Sequence, residues 1–125
     1  MKRIGAYYRE EVLSLPQEML IEVELPRSSG EFKIIKDLFG WKLYSGDNFV
    51  ECRSEEEARY LLVFWDAGMR NVMVPKEEEY LKKILPELER LKKRTDEIIE
   101  KHLRALRNPR LREQVRREVY MEITK

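Results

Sequence analysis

The chain predicts an α+β protein: a compact β-α-β-β-α-β unit of ferredoxin-like order, or a related meander with helices on one face, followed by a long helical tail. Three observations predict it. Residues 49–75 read strand, helix, strand with their punctuation in place: Phe49-Val50-Glu51-Cys52-Arg53 alternates, Ser54 stands as N-cap with Glu57 three residues on, and Gly68 follows the last helical turn before Asn71-Val72-Met73-Val74-Pro75 extends again. Residues 19–25 set Ile21, Val23 and Leu25 against Glu22 and Glu24, the mark of a strand with one wet face. From Leu81 onward, apolar residues recur at three-and-four spacing for over twenty positions.

Taken in order, residues 1–18 form an N-terminal extension, in which 4–15 is ambiguous between strand and helix and Pro16 ends either. The first strand closes at Pro26. After the turn residues Arg27-Ser28-Ser29-Gly30, Phe32, Ile35, Leu38 and Phe39 fall at helical spacing with Gly40 in the C′ place, which predicts a short helix. Residues 41–45 and 49–53 are two strands joined by Gly46-Asp47-Asn48. The helix after Ser54 carries two apolar stripes, Ala58-Leu61-Leu62-Trp65 and Tyr60-Val63-Phe64-Ala67, and so requires cover on two sides. The tail, 76–125, divides into a heptad helix over about 77–107 and a short helix over about 109–123, opened by Asn108-Pro109 and carrying Leu111, Val115 and Val119. Its last residues, 119–124, also alternate as a strand would. Pro86 predicts a kink or break in the long helix.

At 125 residues the chain holds one domain with a real core. No apolar run approaches the ~18 residues of a membrane span, and Met1-Lys2-Arg3 leads into no signal-type apolar region, so a soluble cytoplasmic protein without a membrane role is expected. The single Cys52 excludes an intramolecular disulfide and any multi-cysteine zinc site; its place in the alternation makes it a buried structural thiol. Charged residues dominated by Glu, Arg and Lys, with few Asn and Gln, are the composition of a thermophile.

Two surfaces suggest partners. The apolar helical surface exceeds what one small sheet needs, which predicts a homo-oligomer packed through Tyr60, Val63, Phe64, Leu81, Leu88, Leu91 and Ile98. Residues 76–125 hold 15 Lys+Arg against 11 Asp+Glu, whereas 1–75 hold 10 against 13. Within the tail, Lys101, Arg104, Arg107, Arg110, Arg112, Arg116 and Arg117 face a single acid, Glu113, a concentration suited to phosphates of DNA or RNA without sequence preference. The segment Gly46-Asp47-Asn48-Phe49-Val50-Glu51-Cys52, followed by Ser54-Glu55-Glu56-Glu57-Ala58, resembles the third strand and second helix of the RNA recognition module. It departs from that pattern at Asp47, where a stacking aromatic is expected, and Glu22 and Glu24 would place carboxylates on the open sheet face. Residues 54–105 also resemble, in pattern alone, the helical tails of large restriction-modification proteins.

Catalytic signals are sparse. His102 occupies a heptad core position, where a structural imidazole is expected. Glu22, Glu24, Glu51 and Asp47 would have to converge on one sheet face to hold a divalent cation, and Glu31-Phe32-Lys33 has nuclease-like spacing but falls on the predicted helix. The expectation is a non-catalytic interaction module needing no metal, cofactor or small-molecule substrate. A purely structural homo-oligomeric or protein-partner scaffold is the first alternative; a metal-dependent nuclease, or an accessory part of a DNA-modification system, is the second.

Overall fold

A computed structural model describes residues 3–103. It is an α+β fold with two antiparallel sheets and a long C-terminal helix. Helix α1, Ile4–Tyr8, continues through a wider π-type turn, Arg9–Leu13, and the strands β1, Leu20–Glu24, β2, Phe32–Asp37, β3, Gly40–Ser45, and β4, Asn48–Cys52, come next. Helix α2, Glu55–Asp66, strand β5, Asn71–Pro75, and helix α3, Glu78–Leu103, complete the order. β1 pairs with β5 in one sheet, and β2, β3 and β4 form a separate three-stranded meander.

The segment expected as a short helix around Phe32 to Phe39 is strand β2 and the turn after it. Phe32 and Ile34 turn inward, while Lys33 and Ile35 turn outward. The apparent helical spacing arises because Ile35 is an apolar residue on the wet face and because Leu38 and Phe39 belong to the hairpin tip. Asp37 accepts a hydrogen bond from the Phe39 N–H at 2.8 Å, and Gly40, at φ +122°, opens β3. The glycine expected to cap a helix therefore closes a hairpin.

Helix α2 begins as its sequence dictates: Ser54 Oγ accepts from the Glu57 N–H at 3.1 Å and donates to the Glu78 carboxylate at 3.0 Å, which fixes the starts of α2 and α3 together. Both of its apolar stripes are covered within the chain. Trp65 meets Phe32 edge to face at 5.4 Å, and Phe64 sits between Tyr8 and Tyr60 at 4.8 and 4.9 Å. The third side of α2 packs on α3, where Arg59 pairs with Glu89 and the Lys92 ammonium lies 2.9 Å from Asp66 and 2.6 Å from Asp96. Burial works against the charge on Lys92, yet the bonds and attraction of the two carboxylates hold its pKa above the ordinary value.

Helix α3 runs through Pro86 without a break. Pro86 and Lys82 both face solvent, so water can serve the carbonyl that the proline leaves unbonded. The buried stripe is Leu81, Ile84, Leu85, Leu88, Leu91, Thr95 and Ile99. A strict heptad would have buried Ile98; the true period of 3.6 carries the stripe on to Ile99 and leaves Ile98 49% exposed. This is a core-facing helix. The N-terminal residues expected as an extension supply Ile4, Tyr8 and Val12 to the same core.

Candidate nucleic-acid interface

Strand alternation and register put Lys33 of β2, Tyr44 of β3 and Phe49 of β4 in one row across the outer face of the meander, with Ile35, Lys42 and Glu51 in the next. Tyr44 and Phe49 lie with ring centroids 5.4 Å apart and planes tilted by 34°. The Lys42 ammonium stands 5.4 Å from the Phe49 ring centroid and 5.9 Å from that of Phe39, and 2.9 Å from the Asp37 carboxylate. That hydrogen bond, ahead of the one from the Phe39 N–H, holds the Asp37 carboxyl below its ordinary pKa and raises that of Lys42. Phe49 is 47% exposed, Phe39 89% and Leu38 98%. Beside the aromatic pair lies a hollow of about 310 Å³ lined by Glu31, Lys33, Ile35, Tyr44 and Gly46.

The face is held from below by the loop before β2. Ser29 N–H donates to Ser45 Oγ at 3.1 Å, Ser29 Oγ donates to the Ser45 carbonyl at 3.0 Å, and Ser45 Oγ donates to the Gly30 carbonyl at 3.1 Å. The approach is so close that a Cβ on Gly46 would lie 2.4 Å from the Ser29 carbonyl oxygen. Asn48 Nδ2 donates to the Arg27 carbonyl at 2.8 Å, fixing the residue next to Phe49.

Several sequence expectations change here. Glu22 and Glu24 belong to the β1–β5 sheet and Glu51 to the meander, so the four acids Glu22, Glu24, Asp47 and Glu51 do not share one open sheet face; among the described residues no three His, Cys, Asp or Glu come together as a metal site. The same separation removes Glu22 and Glu24 from the surface that carries Phe49. Lys33 lies on a strand, not on a helix. Tyr60, Val63, Phe64, Leu81, Leu88 and Leu91, expected at an interface between copies, are core residues of the single chain because α3 folds back on α2; of the seven, Ile98 alone is exposed.

Of the basic tail, Lys101 is exposed on α3, while Arg104, Arg107, Arg110, Arg112, Arg116 and Arg117 lie outside the described residues, as do the predicted helix over about 109–123 and the His102 side chain. Lys101 borders a groove of about 750 Å³ between α2 and α3, floored by Leu62 and Val63 and rimmed by equal numbers of acids and bases. Cys52 is half-buried, and burial, with Glu57 nearby, pushes its thiol up to about 12, so it is a protonated structural group at neutral pH. The alternation of the two strands expected over 41–45 and 49–53 is enough to set Lys42, Tyr44, Phe49 and Glu51 on one face, whereas Phe39 and Lys33 are hidden by the helical spacing. No helix among the described residues is long and apolar enough to cross a membrane. Comparison with known proteins finds no matching family model, no matching curated protein and no matching solved structure, so the geometry alone carries a functional reading.

Proposed function

We propose that the chain is a non-catalytic, sequence-tolerant nucleic-acid-binding module that takes single strands on the outer face of the meander, with the basic residues from Lys101 to Arg117 reaching phosphates. The observation that carries this reading is the Tyr44–Phe49 pair, half-buried at Tyr44 and exposed at Phe49, with Lys33 in its row and Lys42 over the Phe49 ring. Every base offers a π-face, so stacking on such a pair is indifferent to sequence and contributes about 1–3 kcal/mol per base. The face also carries Asp37 and Glu51, which makes its charge nearly balanced. Stacking must then supply base contacts and the tail most of the salt-dependent affinity.

The test is fluorescence anisotropy with mixed-sequence single-stranded and duplex oligonucleotides across a salt series. Single strands bind more tightly than duplexes, and affinity falls by about 0.7 log unit per log unit of salt for each phosphate contacted. Tyr44→Ala with Phe49→Ala weakens single-strand binding with little change in the salt slope. Changing Arg110, Arg112, Arg116 and Arg117 to Glu flattens the slope. Absence of binding at about 50 mM salt, where phosphate contacts are strong, sinks the reading and leaves the structural or protein-partner scaffold.

A further inference from the structure

A third concavity, a small recess, lies where the loop after β1 meets the end of α2. Its volume is about 220 Å³, and it is lined by Pro26, Arg27, Ser28, Trp65, Gly68, Met69 and Arg70. Trp65 is 1% exposed, and its indole Nε1–H is the buried side-chain donor that finds no partner among the described residues. The ring stands in the wall of the recess, so its N–H resonance reports on what fills it. Arg27 and Arg70 are exposed, and neither guanidinium has a hydrogen bond or ion pair among the described residues, whereas Arg53, Arg59 and Arg90 are each paired with a glutamate.

We propose that this recess binds a phosphate group, with Arg27 and Arg70 as its charged donors and Trp65 in the wall behind them. A volume equal to about seven waters admits a tetrahedral oxyanion with part of its hydration shell. The negative end of the α2 dipole is nearby, but it amounts to about half a charge and is opposed by two guanidinium cations. The α2 carbonyls of Phe64 and Trp65 are moreover already engaged by the N–H groups of Met69 and Gly68.

The recess adjoins the aromatic face through one side chain: Asn48, bonded to the Arg27 carbonyl, precedes Phe49. Resting on the nucleic-acid reading above, this continuity assigns the phosphate to the end of a strand whose bases lie on Tyr44 and Phe49. A free phosphate offers the same chemistry, and the two sources are separable by experiment.

The first arm titrates the intact chain with inorganic phosphate while the Trp65 indole N–H resonance is followed by NMR, with Trp41→Phe to assign it. A saturable shift that is lost in Arg70→Gln and in Arg27→Gln supports the site; sulfate and chloride serve as anion controls. No shift, or a shift unchanged in both variants, overturns it. Both arginines are exposed, so neither variant removes core packing. The second arm compares oligonucleotides with and without a terminal phosphate. A preference of about tenfold for the phosphorylated strand, the worth of one charge-assisted bond, lost in Arg70→Gln, assigns the strand end. Equal affinity for both, with the indole shift intact, overturns the strand assignment and identifies a free-phosphate site. Failure of oligonucleotide binding with the shift intact sinks the functional reading while sparing the recess.

Discussion

The two helices and the meander handle their apolar residues in opposite ways. Between α2 and α3 almost every apolar side chain is covered, and the polar groups at the seam are paired, from Ser54 and Glu78 at one end to Lys92 with Asp66 and Asp96 further along. On the outer face of the meander, Ile35, Phe49 and the tip residues Leu38 and Phe39 remain exposed. Among the described residues, the surplus of apolar surface that the composition implies lies mostly on the meander, with Ile98 the exception on α3. A helix can hide its stripe by folding back along its own chain; a three-stranded sheet has two faces, and α2 covers one.

The same truncation on the two sides gives the largest contrast. Phe64→Ala, which empties a site between Tyr8 and Tyr60, should cost about 3–5 kcal/mol by denaturant unfolding, whereas Phe49→Ala should stay within about 0.5 kcal/mol. Comparable losses would mean that the outer face is covered in solution. Ser54→Ala comes next, at about 1 kcal/mol, because it removes the cap of α2 and also orphans the Glu78 carboxylate that joins the helices. A loss indistinguishable from zero would show that the seam is held by apolar packing alone.

The smallest effect separates the two faces of the meander by pH. Cys52, on the inner side, has its folded pKa raised to about 12 from an unfolded value near 8.5, so its contribution is fully present below the unfolded value and is lost as pH rises through the folded one. Melting temperature should decline between about pH 9 and 12, and less steeply in Cys52→Ala. The raised values of Tyr8 and Tyr60 act in the same direction, so the difference between the two chains is the quantity to read. An identical decline in both would remove the thiol from the account.

Much of the fold was legible where one rule governed each residue. Ser54, Glu57 and Gly68 punctuate α2 as their types require, and the alternation of β4 and β5 is intact because each strand has one wet and one covered side. Strand β2 was not legible. With Ile35 outward and a hairpin tip of Leu-Phe-Gly, its pattern imitates three-and-four spacing, and only pairing with β3 decides the matter. The long helix was legible as a stripe but not in its partner, since a heptad and a core-facing pattern differ by one position, Ile98 against Ile99. At the recess, Arg27 and Arg70 stand far apart in sequence, and nothing in composition could say that both would border one indole.

Strand β5 has a feature with a wider consequence. Its Met73 N–H donates to the Tyr8 hydroxyl at 2.9 Å, and its carbonyl accepts from the Tyr60 hydroxyl at 2.8 Å. By the alternation of an antiparallel ladder, these are the groups that point away from β1. Two phenols thus occupy, at mid-strand, the backbone positions by which a passing chain would recruit β5 into a larger sheet. A protein that leaves aromatic residues in water on one face is thereby shielded along this border against runaway fibre growth, at the cost of two hydroxyls rather than a charged residue or a proline.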